Sequence, residues 1–304
     1  MTTTLVIMGP TASGKSALAF EIARRNELVE LVSADSMQVY RGMDIGTAKP
    51  TRAEQAEVRH HVIDVADPAD DYNVSCFKAD ALTAMANIRS RGGIPVIVGG
   101  TGLYLRSIVD DLEIPGRFPD VVTELDAEPD TEALHRRLAE LDPIAASRVV
   151  SGNRRRVVRA LEVTVGSGRP FSTYGPGLKA YPPTVPFRMV AIGLPRPVVD
   201  ERISARYTRQ LDAGFLAEAT AIAASPGGIS RTASQALGYK ELFQHIRGEV
   251  TLDEAIDLAI RRTRRFARRQ ERWFRRDPRL IWHRTDQNPM ELLDAVLGDF
   301  DSCN

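Results

Sequence analysis

An α/β fold, a parallel-sheet core domain with a helical insertion domain, is predicted by three features of the sequence. Short apolar runs alternate with amphipathic helical patterns on both sides of the chain's middle. The first run leads directly into GPTASGKS (residues 9–16), the G-x-x-x-x-G-K-[ST] spacing of a P-loop, which needs a strand before it and a helix after it. Between about residues 113 and 185 the rhythm breaks, and only helical patterns punctuated by Pro and Gly remain.

TLVIMG (4–9) opens the sheet. It is apolar at successive positions, as in a parallel strand covered on both faces. GKSALAFEIARR is the helix that the loop opens, and ELVSAD (30–35) is the next strand. FKADALTAMANIRSRG is a helix leading to the strand PVIVGG (95–100). In the interrupted region, VTELDAEPDTEALHRRLAELDPIAASRVV and NRRRVVRALEVTVGSG are helical patterns. FRMVAIG (187–193) and RLIWH (279–283) resume the sheet. Residues 1–112 and 186–304 therefore form one P-loop α/β core domain, and 113–185 a helical insertion domain. Ligand sites are expected at the carboxyl ends of the strands.

Late in the chain, EAIDLAIRRTRRFARRQERWFRR (254–276) is a single helical pattern. Ile256, Ile260, Thr263, Phe266, Ala267, Gln270, Trp273 and Phe274 recur at three- and four-residue spacing, so they mark the packed side. Arg261, Arg262, Arg264, Arg265, Arg268, Arg269, Arg272, Arg275 and Arg276 lie largely around the other faces. Lys+Arg and Asp+Glu both total 40 in this chain of 304 residues, so a nucleic-acid surface can come only from such local clustering.

Two cysteines, Cys76 and Cys303, form no C-x-x-C pair, which argues against a disulfide framework or a zinc module and suits a reducing cytoplasm. The opening MTTTLVIMGP lacks the charged and apolar regions of a secretion signal, and no run approaches the ~20 apolar residues of a membrane span. No membrane partner is expected.

In the loop Gly9, Pro10, Thr11, Ala12, Ser13, Gly14, Lys15 and Ser16, the glycines permit tight turns and the backbone N–H groups can face phosphate oxygens. Lys15 supplies a point charge and the Ser16 hydroxyl is placed to ligate Mg²⁺. A nucleotide hydrolase normally adds an acid at the end of an apolar strand, yet PVIVGG runs into GGTGLY with none. The nearest acid of that type is Asp35, which either faces the loop or caps a turn.

Several blocks together resemble the tRNA dimethylallyltransferase family: DSMQVYRGMDIGTAKP (35–50), HHVID (60–64), VGGTGLY (98–104), RALEV (159–163), ALGYKE (236–241) and ARRQERW (267–273). They stand in the family's order and span nearly the whole chain. The resemblance implies that the loop holds the diphosphate of dimethylallyl diphosphate, that the prenyl group passes to N6 of adenosine 37 of tRNA, and that diphosphate leaves. It further implies Asp35 as the general base, Thr101 beside the reacting centre and Arg206 on the diphosphate, with Arg202 and Arg209 on similar helical faces. It assigns Asp35, Ser36, Met37 and Gln38 to the target adenosine and its neighbours, Gln38 by an amide able to read an adenine edge.

Arg154, Arg155, Arg156 and Arg159, together with Arg265, Arg268 and Arg269, are candidates for backbone contact with the anticodon stem-loop; a solvated face is the alternative. Arg154 departs from the family, which often carries Asp there. His60, His61 and Asp64 read as structural rather than metal-binding, and a monomer is expected. Three other functions stay open at this stage: a small-metabolite kinase, a prenyltransferase acting on free adenine nucleotides, and a non-catalytic RNA-binding module with a ligand-operated loop.

Overall fold

The computed structural model describes residues 3–175, 177, 178, 180–182 and 186–303, so residue 185, where the expected insertion ends, lies outside the described residues. Strands β1 (Thr4–Met8), β2 (Val29–Ala34), β3 (His60–His61), β4 (Ile94–Gly99), β5 (Phe187–Gly193) and β6 (Ile281–Arg284) form one sheet in the order β3-β2-β4-β1-β5-β6. Every pairing is parallel. The two residues of β3 carry no period in the sequence, and they pair at the edge with Leu31 and Val32.

Helices α1 (Lys15–Arg25), α2 (Arg52–Glu57), α3 (Val74–Ser90) and α4 (Gly102–Val109) accompany the first strands. α5 (Pro119–Asp126), α6 (Thr131–Leu141), α7 (Pro143–Arg148) and α8 (Arg154–Ser167) fill the interruption. α9 (Arg196–Asp212), α10 (Phe215–Ala223), α11 (Tyr239–Ile246), α12 (Leu252–Phe274) and α13 (Leu293–Asp301) complete the chain.

The continuous apolar strands are explained by cores on both faces of the sheet. Successive side chains of β1 point opposite ways. Val6 and Met8 join a core with Phe77 and Met85 of α3, Tyr104 of α4, Ile203 of α9 and Phe274 of α12. Leu5 and Ile7 join another with Leu18 and Ile22 of α1 and Val296 and Phe300 of α13.

The chain divides into two units, Met1–Val109 with Pro183–Asn304, and Asp110–Pro182. These junctions fall slightly earlier than the expected 113 and 186. The first directly follows α4, whose Tyr104, Leu105, Ile108 and Val109 are buried in the core of the larger unit. In the smaller unit, Val157, Ala160 and Leu161 of α8 pack with Leu125, Leu134 and Leu138. Asp130, Asp142 and Asn153 cap its helices by accepting backbone N–H groups of Glu132, Ala145 and Arg156. Each such cap is worth about 1 kcal/mol.

Along α12 the buried line is Ala255, Ala259, Thr263, Ala267, Gln270 and Phe274, with Ile256, Ile260, Phe266 and Trp273 half-buried beside it. The packed side is thus rotated from the expected one towards its smallest residues. Small side chains let this helix approach its neighbours closely, and the Tyr207 hydroxyl of α9 meets the Thr263 hydroxyl at 2.9 Å.

Candidate active site

Three strand ends build one mouth. β1 leads into Gly9–Ser16, β2 into Asp35, and β4 into Gly100, Thr101 and Gly102. Since β4 lies between β1 and β2, two strand spacings separate Asp35 from the phosphate loop, about 10 Å of backbone distance. Glycine lets neighbouring backbones at the strand ends approach closely. A Cβ on Gly99 would lie 2.3 Å from the Ala34 carbonyl oxygen, and one on Gly9 would lie 2.9 Å from that of Ile192.

The loop folds around two left-handed residues, Ala12 at φ 65° and Gly14 at φ 85°. Ser13 N–H donates to the Pro10 carbonyl at 3.2 Å. α1 then begins with no side-chain cap and no acid in its first turn, so its first N–H groups and positive end face the mouth. Among the described residues, Ser13 Oγ and Arg206 Nε are buried polar atoms without a partner. Leaving such atoms bare costs roughly 1–3 kcal/mol each.

Two arginines of α9 clamp the loop. Arg206 Nη1 donates to Thr11 Oγ1 at 2.8 Å, and Arg202 Nε donates to the Ala12 carbonyl at 3.0 Å. Arg209 joins them in lining a cavity of about 420 Å³ over Ala12. The spacing of these arginines had left their roles open, and the fold brings both Arg202 and Arg206 onto the loop. One expectation is corrected: Thr11 N–H does not face the phosphate space but donates to Gln270 Oε1 at 2.9 Å.

Lys15 Nζ reaches back to the Pro10 carbonyl at 3.4 Å. Burial, and secondarily the Arg206 charge, lower its pKa to about 8, while Asp35 opposes the shift. Burial likewise pulls the Arg206 guanidinium below its ordinary range, with Tyr207 and Asp35 opposing. Lys15, Arg206 and Asp35 therefore share one electrostatic field.

A pH dependence follows. Below about pH 8 Lys15 is charged before any anion arrives; above it the free protein loses that charge and binding must take up a proton. The Kd of inorganic diphosphate, measured by calorimetry from pH 7 to 9.5, is expected to rise by up to about tenfold per pH unit above that point. Lys15→Arg should flatten the profile; an equally steep profile in that variant would sink the assignment to Lys15.

Asp35 divides its carboxylate between the two roles the sequence allowed. Oδ1 accepts Met37 N–H at 2.8 Å and Gln38 N–H at 3.4 Å, capping the turn. Oδ2 has no protein hydrogen bond among the described residues, which leaves one oxygen able to take a proton. Thr101 Oγ1 accepts Ser36 N–H at 3.2 Å, tying the β4 loop to the residue next to Asp35. Gln38 is committed internally: Oε1 accepts Ser33 Oγ–H at 3.0 Å, and Nε2 donates to the Thr47 and Ala48 carbonyls at 3.3 and 3.1 Å. In this geometry it braces the 35–50 segment, and its amide NH₂ is not free to read a base.

That segment is laced from two sides. Asp64 N–H and Ala66 N–H donate to the Gln38 and Val39 carbonyls, and Arg41 N–H donates to the Ala66 carbonyl. Buried Lys49 binds Asp44 and Asp64, both at 2.6 Å. Glu218 of α10 accepts the N–H groups of Asp44, Ile45 and Gly46 and the Tyr239 hydroxyl. His61 meets Glu30 at 2.6 Å and His60 meets the Val58 carbonyl at 2.8 Å, both scaffold contacts. Sequence reasoning missed Glu218 entirely and read Gln270 only as packing. A buried amide on an apolar helix face needs partners, and that was the available signal.

With this geometry stand the comparisons. A family model described as IPP transferase matches residues 38–277. This chain belongs to the IPP transferase family. It is 46% identical over 303 residues to a tRNA dimethylallyltransferase of Kineococcus radiotolerans, covering 96% of this chain and 95% of that one. The crystal structure of the full-length tRNA isopentenylpyrophosphate transferase of Bacillus halodurans is 36% identical, with a TM-score of 0.70, covering 100% of this chain and 98% of that one. A eukaryotic dimethylallyltransferase solved while acting on tRNA shares the fold at a TM-score of 0.82 and 24% identity, over 99% of this chain and 80% of that one.

In this IPP transferase family member the expected RNA contacts separate into two groups. Arg265 and Arg269 are exposed on α12. With Arg261 and Arg272, also exposed, they fall within an arc of about 80° at 100° per residue. None of the four has an ion pair among the described residues. Arg268 is half-buried, 3.9 Å from Asp200. Arg262 is drawn inward onto buried Glu241 at 2.5 Å.

In the smaller unit Arg155 and Arg156 are exposed, whereas Arg154 and Arg159 are braces. Arg154 donates to the Leu125 and Pro129 carbonyls. Arg159 donates to the Pro115 and Gly116 carbonyls and pairs with buried Glu162 at 2.8 Å. A run of arginines at a helix start carries no sign of which turn inward, so the run alone could not separate them. No three His, Cys, Asp or Glu side chains cluster as a metal site among the described residues, and no helix among them is long and apolar enough to cross a membrane.

Proposed function

We propose that this protein transfers the dimethylallyl group of dimethylallyl diphosphate to N6 of adenosine 37 of tRNA, releasing diphosphate. The observation that carries the reading is one mouth holding a phosphate loop clamped by arginines and, two strand positions away, a carboxylate with one oxygen unpaired among the described residues.

The geometry suits the reaction. A base oxygen about 3 Å from N6, with N6 about 3 Å from the allylic carbon, spans roughly 6 Å. The adenine amine is a weak nucleophile because its lone pair is delocalised into the ring. Asp35 Oδ2 takes its proton as the N6–carbon bond forms and the carbon–oxygen bond to diphosphate breaks. Lys15, Arg206 and the first N–H groups of α1 receive the charge that gathers on the leaving group. Thr101 holds Ser36, and through it the turn that carries Asp35.

Ser16, exposed at the start of α1, offers a hard hydroxyl oxygen that suits Mg²⁺ held jointly with diphosphate and water. Bound there, Mg²⁺ would supply further charge stabilisation to the leaving group. The exposed arginines of α12 and Arg155 and Arg156 would meet RNA phosphates, with Ser36 and Met37 beside the extruded base. Such contacts position RNA and weaken with salt. In this reading the protein acts as a monomer in the cytoplasm, where tRNA resides.

The test is transfer of radiolabelled dimethylallyl diphosphate, with Mg²⁺, to unmodified tRNA bearing adenosine 37. Label is expected in the RNA and absent when that adenosine is guanosine. ATP turnover without labelled RNA would indicate a kinase, and label on AMP but not tRNA would indicate a nucleotide prenyltransferase.

A further inference from the structure

Gln270 sits on the packed side of α12, 8% exposed, where an apolar residue would be the default. Its amide bridges two loops distant in sequence. Oε1 accepts Thr11 N–H of the phosphate loop at 2.9 Å, and Nε2 donates to the Gly100 carbonyl of the Thr101 loop at 2.8 Å. Both partners are backbone groups. A carboxamide accepts from an N–H through its oxygen and donates to a C=O through its nitrogen, so one side chain can hold both backbone groups.

The neighbourhood is shaped for this bridge. A Cβ on Gly100 would lie 2.6 Å from Gln270 Nε2, and a Cβ on Gly102 would lie 2.4 Å from the Trp273 ring. α12 is itself anchored by buried Ala267 and Phe274 and by the Thr263–Tyr207 contact, so the amide is a fixed point. Thr11 is also the residue whose hydroxyl receives Arg206.

We infer that Gln270 is a positioning residue whose amide sets the phosphate loop and the Thr101 loop at a defined separation. It thereby aims Arg206 through Thr11, and Asp35 through Thr101 and Ser36. The inference rests on the proposed function, in which those loops are the donor and acceptor halves of the site.

The test compares full-length Gln270→Met, close in volume but without the amide, with Thr251→Ala. Thr251 caps α12 by accepting Glu254 N–H, about 28 Å along the helix from Gln270, so its loss weakens α12 without touching the bridge. Thermal midpoint, the Kd of inorganic diphosphate, the Kd of tRNA and the single-turnover transfer rate are measured for each.

Gln270→Met is expected to weaken diphosphate binding about tenfold and to slow single-turnover transfer about 10- to 100-fold, as small misplacements of reacting groups do. Its tRNA Kd stays within about twofold. Diphosphate affinity equal to the parent's would overturn the inference, as would Thr251→Ala reproducing the same losses at an equal fall in midpoint. A parent that binds diphosphate but transfers no label would sink the proposed function, while the calorimetric comparison would still decide Gln270. A parent that fails to bind diphosphate overturns both.

Discussion

Asp35→Asn is expected to slow single-turnover prenyl transfer about 10²- to 10⁴-fold, the range for loss of a general base. The substitution isolates the proton step because the two carboxylate oxygens do different work. An Asn Oδ1 can still accept Met37 N–H and Gln38 N–H, so the turn keeps its cap. The amide nitrogen then replaces Oδ2, the oxygen with no protein partner, and cannot take a proton from N6. Asp35 also sustains the charge on Lys15, so its loss lowers that pKa further. The comparison is best made well below pH 8 and at saturating dimethylallyl diphosphate, so that a further fall in the Lys15 pKa does not enter the rate. A rate within about threefold of the parent at saturating tRNA would remove Asp35 from the chemistry.

Arg206→Gln is expected to lower kcat/KM for dimethylallyl diphosphate about 10²- to 10³-fold, as when a preorganised donor is removed from developing charge. Its Nη1 is held by Thr11, its Nε is buried without a partner among the described residues, and burial already depresses its basicity. A charge enclosed in this way stabilises a bound anion more than it stabilises the empty protein. The thermal midpoint of Arg206→Gln should therefore hold or rise while activity falls. Arg206→Lys should recover little, because an ammonium lacks the planar fork. Arg202→Ala should cost less than Arg206→Gln, since Arg202 Nε is occupied by the Ala12 carbonyl. Steady-state kinetics and calorimetry on the three variants decide the order, and a larger loss at Arg202 would reverse the two roles.

The separation of scaffold from chemistry explains why the 35–50 segment is so densely bonded. In the proposed reaction, a base that must meet an extruded adenine cannot ride on a free loop. Here the loop is tied by Thr101 from one side, by Gln38 and Lys49 from within, and by Glu218 from α10. Gly46 belongs to the same design, since a Cβ there would lie 2.1 Å from the Phe215 ring. That accounts for a glycine where the turn meets α10 and α11.

Much of this was legible in the chain. Local rules determined five of the six strands: β1, β2, β4 and β5 because a strand buried on both faces is largely apolar, and the half-exposed β6 from the apolar start of RLIWH. They also determined the phosphate loop, because its spacing admits one strand-to-helix geometry. Motif blocks pointed to Asp35, Thr101 and an arginine of α9. What tertiary structure alone decided was how polar side chains are shared. Arg154 and Arg155 are adjacent and identical in type, yet one braces backbone carbonyls and the other faces solvent. Gln38 looked free to read a base and is bonded at both ends of its amide; Gln270 looked like packing and bridges Thr11 to Gly100. Hydrophobic burial follows from period and composition, which are local. A hydrogen bond needs a partner at about 2.9 Å in a set direction, and here that partner lies as far as 259 positions away along the chain.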